Sequence, residues 1–148
     1  MTFRFALQVL LRLKESQEHQ QRLVLEQANA KVQGCQLRIA QTDEKIEASK
    51  RVRQHSLEDG VRSAEILFLE LCSSRLAGHR QEMEKELTQL RELRNTCLQT
   101  YQRLHREREA LDTLRSSQLQ RFHLEEARRE QKQVDDFFLL RREHLRRR

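Results

Sequence analysis

Apolar residues recur at alternating intervals of three and four along the first half of the chain. The stripe comprises Leu7, Leu11, Leu25, Ala28, Val32, Cys35, Ile39, Thr42, Ile46 and Ser49, with polar Glu18 and Gln21 between Leu11 and Leu25. Such spacing keeps one side of a helix facing a partner helix. Several members are small or polar, so the pattern predicts a thin seam and a helix that depends on its partner.

The second half repeats the pattern, with arginine at some positions of the stripe. Its members are Met83, Leu87, Leu90, Arg94, Cys97, Tyr101, Leu104, Arg108, Leu111, Arg115, Gln118 and Phe122. An arginine there can lay its methylene stem along the apolar stripe while the guanidinium group stays in water. The two stripes predict an all-α fold, a long antiparallel two-helix coiled coil that forms a helical hairpin.

The turn of the hairpin is expected near Gly60, a candidate residue for the left-handed conformation that ends a helix. Ser63 could start the next helix, and we expect a kink near Gly78. The expected elements, within a single domain over 1–148, are helix one at about 4–56, a turn and short helical segment at about 57–78, and helix two at about 79–143. Helices of these lengths would extend about 80 Å and about 97 Å, so helix two should project past the N terminus.

Composition strengthens the prediction of long, unbroken helices. Proline is absent, and glycine occurs three times in 148 residues. Proline costs about 3 kcal/mol inside a helix and glycine about 1 kcal/mol. High charge with few aromatic residues also favours disorder, but the regular stripes argue against that reading. A rod of this kind offers little concave surface for catalysis.

Basic residues are concentrated at both ends of the chain. Residues 1–56 carry 10 Lys/Arg against 6 Asp/Glu, residues 57–120 carry 10 against 11, and residues 121–148 carry 9 against 6. The last residues hold an arginine cluster, Arg141, Arg142, Arg146, Arg147 and Arg148. No ladder of aromatic residues for stacking bases accompanies it, so we expect a solvated or protein-binding tail rather than a nucleic-acid site.

The sequence contains no constellation that indicates an enzyme. The six histidines are scattered, and no HExxH motif or glycine-rich phosphate loop is present. Asp135 and Asp136 are neighbours, and adjacent helix residues point about 100° apart. Cys35, Cys72 and Cys97 lack zinc-ligand spacing, and we expect reduced thiols. We therefore expect no catalytic site, no metal, no cofactor and no small-molecule substrate.

No stretch approaches the 18 or so consecutive apolar residues that span a membrane. The first 13 residues are apolar over more of the helix surface than one seam needs. We expect other protein, rather than lipid, to cover this segment. The absence of an export signal indicates a cytoplasmic protein.

Two motifs carry a resemblance to a known family. The start reads Phe3-Arg4-Phe5-Ala6-Leu7-Gln8-Val9-Leu10-Leu11-Arg12-Leu13-Lys14, and the end reads Arg129-Glu130-Gln131-Lys132-Gln133-Val134-Asp135-Asp136-Phe137. Both are similar to the motifs of the FliJ family, the small coiled-coil export proteins of bacterial flagella. The family usually has Asp-Glu where this chain has Asp135-Asp136, so the charge is kept. The resemblance covers the whole chain.

The resemblance implies a function that composition does not supply. FliJ proteins are similar to the γ stalk of rotary ATPases. They sit in the pore of the hexameric flagellar export ATPase, promote its assembly and activity, couple it to the membrane-embedded export gate and escort export chaperones. It also implies a location at the cytoplasmic face of the inner membrane, at the flagellar base.

The resemblance and the apolar surplus together suggest two contact sites. The expected ATPase-ring contact comprises Phe3, Phe5, Leu7, Leu10, Leu11, Gln131, Val134, Asp135, Asp136 and Phe137. The expected export-gate contact comprises Phe68, Leu76 and His79, which match the family's apolar, apolar and histidine spacing. For the second set, a role only in capping the hairpin core is the alternative.

Two other functions are compatible with the sequence. The stalk of a virulence type III secretion injectisome would share the mechanism and serve a different machine. A purely structural, self-assembling coiled coil would have no ATPase partner at all.

Overall fold

The computed structural model describes residues 3–60 and 62–146, apart from the side chain of Leu145. It has two α-helices, α1 (Gln8–Glu58, 51 residues) and α2 (Ser63–Arg146, 84 residues). The helices pack against each other as an all-α helical hairpin, which confirms the predicted fold class. Arg147 and Arg148 of the predicted arginine cluster lie outside the described residues.

The residues group into two compact units. The first combines the chain up to Glu18 with the chain from Arg103 onward, and the second is His19–Gln102. In each unit a part of α1 packs on a part of α2. The single domain expected over 1–148 stays a prediction.

The core of the second unit follows the predicted stripe of α1. Ala28, Val32, Cys35 and Thr42 are buried, together with Met83 of α2. The Cys35 thiol donates to the Met83 carbonyl at 3.5 Å, and the Thr42 hydroxyl donates to the carbonyl of Arg38 at 2.9 Å. Both polar side chains are therefore satisfied inside the seam, as buried polar groups must be.

Polar contacts between α1 and α2 flank this core. They are Arg38–Glu86 at 2.9 Å, Ser49–Ser73 at 2.8 Å, and the ion pairs Asp43–Arg80 and Arg53–Glu70. Partner numbers fall along α2 as they rise along α1, which is the signature of antiparallel packing. Exposed ion pairs are each worth at most about 1 kcal/mol, so their main effect is on register.

The core of the first unit is built around Phe5 and Leu11, which are 8% and 0% exposed. Phe3 lies beside Phe122, with ring centroids 5.7 Å apart and planes tilted by 53°. Offset or tilted ring pairs of this kind stabilise a fold by about 0.5–1.5 kcal/mol beyond the free energy that comes from the apolar area they bury. The N-terminal segment is thus anchored on α2 by aromatic side chains.

A charged cluster lies beside this core, where the predicted stripe has polar Glu18. Nδ1 of His105 is 2.7 Å from the Glu18 carboxylate, and Arg108 donates to the same carboxylate. Arg108 also donates to Asp112 at 2.5 Å. Burial on its own raises the pKa of Glu18, but the hydrogen bonds and charges of His105 and Arg108 outweigh it and lower the pKa below its ordinary value of 4.5.

The first helix begins four residues later than the sequence predicts, at Gln8 instead of about residue 4. No acidic residue lies in its first turn, so little compensates the free N–H groups of an earlier start. Phe5 is instead buried outside the helix. The carbonyl of Phe5 accepts from the Gln8 amide at 3.1 Å, and the carbonyl of Leu7 accepts from the Leu11 amide at 2.9 Å.

The turn agrees with the residues singled out for it, and the region after it does not. Gly60 has φ of 72°, the left-handed conformation that glycine adopts without steric cost. The second helix begins at Ser63 and continues through Gly78. The structure thus has one helix where the sequence suggested a short segment, a kink and helix two. A lone glycine costs about 1 kcal/mol, less than breaking a helix that is packed on both sides of it.

The stripe of α2 departs from its predicted course near its contact with the N-terminal segment. Arg115 and Gln118 are exposed, while Ser117 and Leu119 are half-buried. This part of α2 packs on residues that precede α1, as the Phe3–Phe122 contact shows. Spacing of three and four residues is typical of a helix that packs on another helix. Here the partner is a segment that precedes α1, so this spacing no longer predicts which residues of α2 are buried.

Two of the three glycines allow a direct test of the turn and of the continuous second helix. A side-chain carbon added at Gly78 meets no atom within 4 Å, so Gly78→Ala should stabilise the protein by about 1 kcal/mol through helix propensity. Gly60→Ala should destabilise it by about 1–2 kcal/mol, because alanine disfavours positive φ. Urea unfolding followed by circular dichroism measures both. A loss of stability in Gly78→Ala would contradict the continuous helix.

The Glu18 cluster predicts an acid-dependent part of the stability. A carboxylate with a lowered pKa stabilises the fold fully above its unfolded pKa and loses this contribution as the pH falls through the folded value. Glu18→Gln should therefore cost about 1–3 kcal/mol near neutral pH, and the difference from the native protein should shrink below about pH 4.5. Urea unfolding over a pH series tests this, with exposed Glu15→Gln as the control. A difference that is the same at every pH would refute the assignment.

Candidate protein-binding surfaces

The C-terminal part of α2 is exposed at every position from 127 to 144, and we call it the C-terminal extension. Its large apolar side chains are mostly in solvent. They are Val134 (47% exposed), Phe137 (65%), Phe138 (61%), Leu139 (56%) and Leu140 (69%). Monomeric proteins rarely expose contiguous apolar surface of this kind unless it is an interaction site.

Helix geometry distributes these residues over several sides of α2. With 3.6 residues per turn, Val134, Phe137 and Phe138 lie on one face, and Leu139 and Leu140 lie on other sides. A single partner helix covers one stripe only. The extension is therefore suited to a partner that surrounds it more widely than one helix does.

All five residues expected to contact the ring from this region lie in the extension. Gln131, Val134, Asp135, Asp136 and Phe137 are exposed within two turns of α2. The Gln131 amide donates to the Asp135 carboxylate at 3.0 Å, so the polar members are partly paired with each other. The five residues are neighbours along one exposed stretch of α2, where Val134 and Phe137 lie about 60° apart around the helix and Asp136 lies about 160° from Val134.

The five N-terminal candidates are divided by the structure. Phe5 and Leu11 are buried in the first unit, and Phe3 is half-buried against Phe122. Leu7 and Leu10 are 38% and 39% exposed. The fold thus uses Phe5 and Leu11 and leaves Leu7 and Leu10 as the accessible members of the set, while Val9 and Leu13 beside them are 81% and 52% exposed.

Four arginines lie in or beside the N-terminal segment. One groove of about 490 Å³ is lined by Phe3, Arg4, Phe5, Gln8, Arg12 and Arg115, and a second of about 310 Å³ by Phe3, Arg4, Gln118, Arg121, Phe122 and Glu125. Phe3 and Arg4 line both. We call the two grooves together the arginine groove. Sequence reasoning missed it because its members come from distant parts of the chain.

Near the turn, a second apolar face is exposed on α2. Phe68 and Leu71 are 65% and 64% exposed, and His79 is exposed with its Nδ1 3.9 Å from a Glu82 oxygen. Residues 11 apart in an α-helix nearly eclipse each other, so Phe68 and His79 share a face. Leu76 is half-buried and points away from that face toward the seam.

Metal-ligating side chains and cysteines are scattered among the described residues. Within them, no group of three or more metal-ligating side chains comes together, and the three cysteines are free thiols. No helix in the described part of the chain is long and apolar enough to cross a bilayer.

Comparison with known proteins identifies the family. Residues 3–147 match the family model described as the flagellar FliJ protein. Neither the curated proteins nor the solved structures yield a match. Because the match covers nearly the whole chain and the structure is the expected helical hairpin, this chain belongs to the FliJ family of flagellar export proteins.

Proposed function

We propose that this chain is the central stalk of the hexameric flagellar export ATPase. In this role it enters the pore of the ring, promotes ring assembly and activity, couples the ring to the export gate and escorts export chaperones. It works at the cytoplasmic face of the inner membrane and catalyses no reaction itself. The match to a flagellar family supports the flagellar machine over a virulence injectisome.

The exposed apolar surface of the C-terminal extension is the observation that carries this proposal. Each apolar Å² removed from water stabilises a complex by about 25 cal/mol. Five large side chains, each 47–69% exposed, therefore offer a partner several kcal/mol. A coiled coil that binds no partner would have no use for apolar residues on several sides of one helix, and a self-assembling one would leave the turnover of the export ATPase unchanged.

The residues near the turn support a separate contact with the export gate. Phe68 and Leu71 are as exposed as the apolar residues of the extension. They belong to the second unit, whereas the extension belongs to the first. Two apolar surfaces in different units suit a protein that couples two partners.

Truncating two side chains of the extension tests the ring contact. Val134→Ala with Phe137→Ala should lower the stimulation of ATP hydrolysis at least tenfold. Truncation of a hot-spot side chain costs about 2 kcal/mol or more of binding free energy. Val24→Ala with Leu93→Ala removes similarly exposed side chains elsewhere and should leave stimulation unchanged. Turnover of the purified export ATPase, with increasing amounts of each variant, is the measurement. Full stimulation by the first variant would overturn the assignment.

Binding to the cytoplasmic domain of the export gate tests the other surface. Phe68→Ala with His79→Ala should weaken this binding about tenfold or more and leave ATPase stimulation intact, because the two side chains share an exposed face. Leu67→Ala is the control, since Leu67 is 72% exposed and points about 100° away from Phe68. Calorimetric titration measures the affinities. An equal loss in the control would show that the face is wrongly assigned.

A further inference from the structure

The arginine groove has an unusual charge balance for this protein. Its lining contains Arg4, Arg12, Arg115 and Arg121, and Glu125 is its one carboxylate. Among the described residues, none of these four arginines makes an ion pair or a side-chain hydrogen bond. By contrast, Arg38, Arg80 and Arg108 each pair with a carboxylate of the other helix or of their own.

Unpaired arginines around one groove create a local positive potential. Like charges held close together repel, and a concave surface concentrates their field. An anionic ligand would relieve this repulsion and gain charge-assisted hydrogen bonds. The planar guanidinium group matches a carboxylate in a two-point arrangement, which makes arginine the preferred partner of acidic side chains.

The aromatic residues of the groove distinguish between anionic ligands. Phe3 and Phe122 pack against each other at 5.7 Å, and Phe5 is buried. Their faces are therefore used inside the protein, whereas binding of single-stranded nucleic acid relies on open aromatic faces for stacking bases. The half-buried ring of Phe3 offers an apolar edge within the arginine groove, because it lines both of its parts. Alternating carboxylates and apolar side chains fit this arrangement.

We propose that the arginine groove binds an acidic protein segment whose carboxylates pair with the four arginines and whose apolar side chains rest on Phe3. The inference rests on the proposed function in one respect, since the segment is assigned to the export ATPase. It changes the chemistry of the N-terminal contact. The sequence suggested an apolar contact there, but Phe5 and Leu11 are buried, and four exposed arginines lie beside the apolar residues that remain accessible.

A model peptide tests the groove without any assumption about the ATPase. The probe is a fluorescein-labelled peptide of alternating Glu and Leu, compared with the same peptide carrying Gln for Glu. Fluorescence anisotropy with the full chain should show binding of the Glu peptide only, weakening as NaCl rises from about 50 mM to about 200 mM because salt screens the charges. Arg12→Ala with Arg115→Ala should weaken it at least tenfold. Exposed Arg51→Ala with Arg91→Ala removes the same charge and should change it less than twofold.

Three results would overturn the groove assignment. They are equal binding of the Glu and Gln peptides, equal loss in the two double variants, and tighter binding of a single-stranded DNA oligonucleotide that is lost in Arg12→Ala with Arg115→Ala. Circular dichroism melting of each variant checks that the fold is intact.

The same variants on the purified export ATPase separate this inference from the proposed function. Binding of the native chain that falls at least tenfold in Arg12→Ala with Arg115→Ala supports both. Binding that is unchanged in this variant overturns the assignment of the groove to the ring and leaves the stalk proposal standing. If the native chain does not bind the ATPase at all, the stalk proposal fails, and the peptide result alone decides whether the groove takes acidic segments.

Discussion

Each helix packs on the other through a single apolar stripe, and the rest of the structure depends on this constraint. Where α1 and α2 pack, the buried side chains are small or few, such as Ala28, Cys35 and Thr42 in the second unit. A stripe of this width uses about a third of each helix surface. The remaining surface faces outward, so charged residues cover most of it, and any apolar residue placed there is free to meet a partner.

A thin apolar seam leaves register to the polar contacts. Sliding one helix by a turn would keep much of the heptad pattern in contact, but it would separate Glu18 from Arg108 and Asp43 from Arg80. Glu18 would then be left as an unpaired, largely buried carboxylate, which is costly. Specificity of alignment thus comes from charge, and the free energy of association comes from the apolar stripe.

The sequence predicts the helical fold well because heptad spacing and helix-breaking residues are local signals. The α1 stripe from Leu25 to Ser49, the left-handed Gly60 and the start of α2 at Ser63 all follow from such signals. The late start of α1 and the altered stripe near Arg115 do not, because they result from the packing of Phe3 and Phe5 on α2. The arginine groove is hidden for the same reason, since Arg12 and Arg115 are separated by about a hundred residues in sequence.

The exposed surfaces differ in chemistry, which suggests that they make different kinds of contact with partners. The C-terminal extension presents apolar side chains, the arginine groove presents positive charge, and the Phe68 face lies in the other unit. Apolar burial supplies most of the affinity in protein complexes, whereas charge directs orientation and the rate of encounter.

The proposed stalk role requires this chain to occupy the pore of the export ATPase ring. Electron cryomicroscopy of the purified ring mixed with the chain tests it most directly. Two-helix density is expected inside the pore, with the C-terminal extension and the arginine groove against the ring wall. Density confined to the outer surface of the ring, or an empty pore at saturating concentrations of the chain, would contradict it.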